Sequence, residues 1–484
     1  MRPILFTALL LLWLLPLAFS QPVAPAVTQR IRQVETGLMP AVQLAGQPDQ
    51  HYALADRMRH FRVPAVSIAL VNNGQVEWAR AYGFLSSDST RPADAQTLFQ
   101  AASISKPISA MGALKLVEQG KLHLDTAINR YLKSWQVPSS PFTATRPITL
   151  RGLLSHSAGL TVHGFSGYQA DRPVPTLVQI LTGQPPANSP AVVSDTMPGL
   201  RWSYSGGGYV LLQQALEDVT GQPLATFMQQ TVLAPLGMTH STFEQPLPTS
   251  LTANAAIGHF ANGRPIAGNW RTHPEQAAAG LWTTPSDLAR YLIEVQQAYN
   301  NRSNRVLSSA TTRTMMTPQV GDQGLGPGLD TTQGAFGHSG GNVGYRCLLY
   351  AFTPSGQGAV VMTNSDAGMD LVNEIFRSIA HTYHWPAYQP VRKTVMPLSA
   401  GQLTSLTGTY SGLGDRKPTL TITAVDGGLQ VRQSWDNATF VLLPEATHQF
   451  FMRETGAPFT FTVDSRGAAT SLLAFGRDRW TKLN

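Results

Sequence analysis

Five apolar residues, Ile104, Ile108, Met111, Leu114 and Val117, recur three or four positions apart and predict a helix with one buried face. Gly120 is placed to stop it. Pro107 falls in its first turn, where a missing N–H costs little. Two apolar runs, 63–71 and 76–84, flank Asn72-Asn73-Gly74 and predict a β-hairpin, because Asn-Gly tolerates the backbone of a tight turn. Further helices are expected over 51–62, 209–219 (ended by Gly221), 224–233, 286–296 and 369–381. In the last of these, Leu371, Ile375 and Ile379 share a face. Residues 345–352 and 358–362 read as strands, while 121–200 is loop-rich and then Pro-rich.

The pattern changes at both ends. Residues 384–400 hold three prolines and little periodicity, as a linker does. From 401 to 484, short alternating runs such as Leu420/Ile422/Ala424 and Phe459/Phe461/Val463 are separated by turn sequences at 425–428 and 464–467, an antiparallel β-module. At the start, Arg2, an apolar run over 4–19 and Ala18-Phe19-Ser20 before Gln21 have the form of a cleavable signal peptide, so the protein is expected to be exported to the periplasm or beyond. The run is short for a span and carries Pro16, so no stable membrane span is expected after cleavage. The expected division is 1–20 signal peptide, 21–50 partly ordered leader, 51–383 main domain, 384–400 linker and 401–484 β-module.

Composition narrows the function by exclusion. The formal charge of +7 is modest for 484 residues, and Lys and Arg are scattered, so nucleic acid is not an expected partner. The one cysteine, Cys347, rules out an internal disulfide and reads as a small buried residue. There is no His-Glu-x-x-His and no Cys pair, and His123, His156, His163, His240, His259 and His273 stand isolated. Neither a metal nor a cofactor is expected.

Three stretches can carry chemistry. Ser103 at the mouth of the predicted helix and Lys106 three residues on lie on one face, roughly 4.5 Å apart along the axis. A serine hydroxyl needs a neighbouring base, and a buried lysine at the positive end of a helix can be one. The second stretch is Trp202-Ser203-Tyr204-Ser205-Gly206-Gly207-Gly208, a tyrosine beside a glycine-rich turn. The third is Gly337-His338-Ser339-Gly340-Gly341. It also fits the G-x-S-x-G nucleophile elbow, but that elbow needs a strand before the serine and a helix after it. A strand follows here, so Ser339 is rejected as nucleophile.

Taken in order, Ser103-x-x-Lys106, Tyr204-Ser205-Gly206 and His338-Ser339-Gly340 resemble the serine β-lactamase and penicillin-binding-protein family. The likeness is to the branch of class C β-lactamases, DD-carboxypeptidases, D-aminopeptidases and related esterases. Glu118–Asp125, Ile148–Leu160, Pro235–Met238 and Ala279–Leu288 extend it across about residues 52–383, and 401–484 is similar to the lipocalin-like module of some members. The resemblance implies an α+β fold: an antiparallel sheet from 60–90 and 335–383, flanked by helices, with a mostly helical insertion holding Tyr204. It implies Ser103 as acylated nucleophile, Lys106 as base, Tyr204 as proton shuttle and the N–H groups of Ser103 and Gly341 as oxyanion hole. His338, Ser339, Gly340 and Gly206 would line the substrate site. Two departures bear on the substrate, a small molecule or peptide. Gly206 replaces the family's usual asparagine, and His338 replaces the lysine of K-T-G. Both point to an ester or amide without an obligatory carboxylate. The alternatives are a β-lactamase or DD-carboxypeptidase, or a non-catalytic sensor on the same fold. The oligomeric state is not legible.

Overall fold

The hairpin around Asn72-Asn73-Gly74 forms one edge of the central sheet in this computed structural model, which describes residues 24–412 and 418–483. The expected signal peptide, residues 1–20, lies outside the described residues. The sheet's strands are β1 (Ala65–Asn72), β2 (Gln75–Gly83), β3 (Gly328–Asp330), β4 (Ala335–Asn342), β5 (Tyr345–Phe352) and β6 (Gly358–Thr363). Their order is β2-β1-β6-β5-β4-β3, antiparallel throughout. Asn73 and Gly74 both take positive φ, as the two-residue turn requires.

Central strands buried on both faces read as unbroken apolar runs. In β1, Val66, Ile68 and Leu70 pack into one core, while Ala69 and Val71 meet Ala289 on the other side. Likewise in β6, Ala359 and Val361 face the first layer and Val360 and Met362 the second.

Six helices pack on the sheet or around the cleft: α1 (Pro25–Thr36), α2 (Ser105–Glu118), α3 (Gly206–Thr220), α4 (Gln276–Ala279), α5 (Pro285–Tyr299) and α6 (Gly368–Thr382). Helices α1 and α6 cover one face, with Ile31 and Val34 of α1 packed into the core that holds Leu371, Ile375 and Ile379. Helices α2, α3 and α5 belong to the larger core on the other face. Between β2 and β3 lies a long insertion whose regular elements are mainly helices but which, unlike the mostly helical region expected, is more loop than helix. The fold is α+β, as expected.

Two boundaries differ from expectation. The stretch from 24 to 50 is not a leader: α1 is tied to the sheet by Arg30 on Glu77 at 2.7 Å and by Tyr82 on Glu35 at 2.8 Å. Only Ile31 and Val34 of its twelve residues are buried, too few to show as a periodic pattern. The stretch 384–400 is not a free linker either. Trp385 is buried in the core of α6, and Val391–Lys393 pairs in parallel with Val42–Leu44.

Eight strands from Gly408–Gly412 to Asp478–Lys482 close an antiparallel barrel, the expected lipocalin-like module. Its interior is filled by side chains including Tyr410, Phe450, Phe459 and Phe461, with Leu403 and Leu406 packed against them. An eight-stranded barrel is just wide enough for that filling. The barrel core shares no residue with the other cores. A chain ended after residue 397, which keeps the Val391–Lys393 strand, is therefore expected to stay soluble and active. Its melting temperature should lie within about 5 °C of the full chain's, and an insoluble product would mean one shared core.

Candidate active site

The chain reaches Ser103 through a kink. Phe99–Gln100 is extended and pairs with Trp282–Thr283, and Ala102 then takes φ +48, which few non-glycine residues adopt. A 3₁₀ turn, Ala102–Ile104, follows and leads into α2. The turn leaves Ser103 part-exposed while Ala102 and Ile104 are buried. Lys106, the second residue of α2, is only 2 % exposed. Its Nζ lies 3.0 Å from Ser103 Oγ and donates to the Ala278 carbonyl of α4 at 2.8 Å.

Burial pushes the Lys106 ammonium down to about 7. The Tyr204 phenol is pushed up to about 12 by burial, against the opposing pull of a hydrogen bond with Ser103. These directions separate the roles. Near neutral pH about half of Lys106 is free amine, whereas only about 1 in 10⁵ of Tyr204 is phenolate. A buried amine that is partly free near neutral pH can serve as a base, and a phenol that keeps its proton can serve as a donor. Lys106 Nζ sits 4.9 Å from the centre of the Tyr204 ring, so Ser103 Oγ is shared by both groups.

Strand β4 forms the opposite wall. His338 Nδ1 donates to the Ser339 carbonyl at 2.6 Å, which leaves Nε2 as an acceptor. Burial, then the charge on Lys106, push His338 down to about 4. The ring is neutral at pH 7, so it offers no cation to a carboxylate. Ser339 is exposed in the middle of β4, opposite Leu348, and no strand–turn–helix surrounds it. Gly340 lies against the turn before Ser103: a Cβ there would stand 2.2 Å from the Ala101 carbonyl oxygen. Cys347 Sγ, buried as expected, donates to that same carbonyl at 3.1 Å.

Gly206 opens α3, capped by Ser205, whose Oγ accepts from Gly208 N at 2.8 Å. A Cβ at Gly206 would meet the Phe165 ring at 2.9 Å. Phe165 thus stands where an asparagine side chain would project, and it was not among the residues expected to line the site. His156 was also missed. Its ring stacks on Tyr204 with centroids 4.3 Å apart. The only sequence signal was the Ser155-His156-Ser157 stretch, which by itself suits a core histidine. Among the described residues no three His, Cys, Asp or Glu side chains come together as a metal site.

The Beta-lactamase family matches residues 53–384, more than half of the chain and the whole of this site. The chain belongs to the beta-lactamase family. Over 300 residues it is 26% identical to a protein of Escherichia coli O157:H7 named "Putative D-alanyl-D-alanine carboxypeptidase", covering 55% of this chain and 67% of that one. Matches to other curated relatives span 42% to 58% of their lengths. An octameric penicillin-binding protein homologue from Pyrococcus abyssi aligns with TM-score 0.62 at 21% identity, over 89% of this chain and 98% of that one. A D-amino acid amidase from Ochrobactrum anthropi SV3 aligns with TM-score 0.56 at 23% identity, over 68% and 96%. At these identities the structural likeness is one of fold. A beta-lactamase-family serine hydrolase is what the chain is.

Proposed function

We propose that this beta-lactamase-family member is an exported enzyme that cleaves esters, and more slowly amides, through an acyl group carried on Ser103. The observation that carries this reading is the buried Lys106 amine 3.0 Å from Ser103 Oγ, with its pKa brought to about 7. The amine takes the Ser103 proton as Oγ attacks the carbonyl carbon. The tetrahedral oxyanion accepts from the N–H groups of Ser103 and Gly341, donors that count because the charge exists only then. Tyr204 gives its proton to the leaving oxygen or nitrogen and regains one from the Lys106 ammonium, which holds the proton taken from Ser103. Water then enters by the same steps in reverse and frees the acid.

The neutral His338 and the apolar Phe165 favour a substrate without an obligatory carboxylate. Recognition of a carboxylate, as a DD-carboxypeptidase or β-lactamase would need, has no free cation at His338. The test is a screen of short aryl esters, D-amino-acid amides and a chromogenic cephalosporin, with mass spectrometry for acylated serine. A fluorophosphonate probe should label the wild type and Ser339→Ala but not Ser103→Ala; labelling that survives in Ser103→Ala overturns the reading.

Gly206 is not in the left-handed region, so an asparagine there is limited chiefly by the Phe165 ring at 2.9 Å, with the His163 carbonyl oxygen next at 3.2 Å. The wild type should strongly prefer ester to β-lactam. Gly206→Asn alone should change that preference little, because the Phe165 ring occupies the space. Gly206→Asn with Phe165→Ala should raise cephalosporin or amide turnover about tenfold, the value of one net hydrogen bond. The measurement is kcat/KM for both substrate classes, and efficient cephalosporin hydrolysis by the wild type would refute this account of Gly206.

A further inference from the structure

We propose that His156 is a positioning residue that holds Tyr204 in place to protonate the leaving group; the proposal rests on the proton-donor reading of Tyr204 above. The argument begins with the backbone on either side of the tyrosine. Ser203 N donates to the His156 carbonyl at 2.7 Å, and Ser205 N donates to His156 Nδ1 at 3.1 Å. One residue therefore grips the chain immediately before and immediately after Tyr204. The imidazole also lies on the tyrosine ring at 4.3 Å and an interplanar angle of 33°, and contacts Tyr209 on α3 at 5.3 Å. His156 thus holds both the backbone flanking Tyr204 and its ring, while His163 Nδ1 donates to the carbonyl of Tyr204 itself.

Two features fit this role better than that of an ordinary packed histidine. First, His156 takes φ +55, a disfavoured backbone that turns its carbonyl and its ring toward the same segment. Second, the acceptor role fixes the tautomer. Nδ1 must be bare to receive the Ser205 N–H, so the proton of the neutral ring sits on Nε2. That nitrogen is buried and has no partner among the described residues. Burial and then the neighbouring charge of Lys106 hold the ring neutral and so preserve the acceptor. Leucine or phenylalanine would fill the same space without gripping Ser205. Asparagine could grip it, because its amide oxygen stands near the Nδ1 position and it tolerates positive φ.

The test exploits the step that Tyr204 serves. His156→Phe, His156→Asn, Tyr204→Phe and the double variant His156→Phe/Tyr204→Phe are compared on a series of esters from nitrophenyl to alkyl leaving groups. Melting temperature and fluorophosphonate labelling are measured alongside. A nitrophenolate leaves without help, so its release should change less than about threefold in His156→Phe. Alkyl ester hydrolysis should fall about 10–100-fold, the range of a misplaced proton donor. The double variant should lose no more than Tyr204→Phe alone, and His156→Asn should recover most of the alkyl ester activity. A loss that is uniform across leaving groups, or one that multiplies with that of Tyr204→Phe, overturns the proposal. A steep Tyr204→Phe with a flat His156→Phe overturns the clamp alone, whereas a flat Tyr204→Phe overturns the proton-donor reading beneath it. Should His156→Phe not fold, His156→Ala, which also lacks an acceptor, is judged by the same comparison.

Discussion

Replacing Lys106 by methionine should abolish turnover and make the protein more stable. The loss of kcat/KM is expected to exceed about 10³-fold, since in the proposed mechanism both activation of Ser103 and return of the proton to Tyr204 pass through this amine. The gain in stability comes from the same burial that makes the base. In the unfolded chain the ammonium titrates near 10.5, in the fold near 7. Folding at pH 7 therefore opposes a charge that prefers water, at a cost of about 4 kcal/mol. Methionine removes that cost but leaves the Ala278 carbonyl without its donor, which costs about 1–3 kcal/mol. The net expectation is about 1–3 kcal/mol more stable, with the sign set by the lysine. Because the folded pKa is depressed, the wild-type penalty is complete below pH 7 and disappears as pH rises through 10.5. The difference between variant and wild type should therefore narrow toward pH 10 in chemical denaturation. The wild-type kcat/KM should rise through an acid limb near pH 7 as the amine is freed. A variant less stable than wild type at pH 7, or an acid limb two units away, would contradict this account.

Gly340→Ala should be the most damaging single-methyl change in the cleft. Its Cβ would lie 2.2 Å from the Ala101 carbonyl oxygen and 2.5 Å from Cys347 Sγ, and the first of these is backbone that cannot rotate aside. Overpacking of this kind costs about 1–3 kcal/mol, and more where the neighbour is fixed. The relief available is to push Ala101 away, which moves the strained Ala102 and then Ser103. A shift of about 1 Å at Ser103, the proposed nucleophile, is enough to lose about 10²-fold in rate. Gly341→Ala is the control. Its Cβ would meet nothing nearer than Arg346 at 3.5 Å, and the N–H proposed to serve the oxyanion is kept. Its stability should change by less than about 1 kcal/mol. Equal damage from the two alanines, read by melting and by rate of fluorophosphonate labelling, would show that strand β4 is not wedged against the nucleophile turn.

Much of this was readable in the sequence because the informative residues are neighbours there. Ser103 and Lys106 are three apart on a helix, the Asn73-Gly74 turn fixes its hairpin locally, and β1 and β6 are apolar enough to show their double burial. What escaped depends on contacts across long separations. Phe165 stands 41 positions from Gly206, and His156 is 48 from Tyr204, so neither pairing leaves a local trace. Helix α1 buries two residues and is otherwise held by polar bonds, which periodicity does not register. The Lys106 pKa is a property of the dry site around it, and only its direction follows from residue type and helix position. The prolines of 384–400 suggested a tether, yet Trp385 and the Val391–Lys393 pairing anchor it.

The pairing of β1 with β6 also governs when the molecule can assemble. Ile68 meets Val361, roughly 290 residues later in the chain, and Val42–Leu44 waits longer still for Val391–Lys393. A ribosome adding about 5–20 residues per second needs about 15–60 s to make that intervening length. During that time the nascent hairpin presents one unpaired, apolar strand edge, and α1 has no α6 to pack on. Closure of the sheet is a late, high-contact-order event and correspondingly slow. The emerging chain is consequently a client for whatever binds open strand edges, and it remains threadable until nearly all of the catalytic unit has been synthesised.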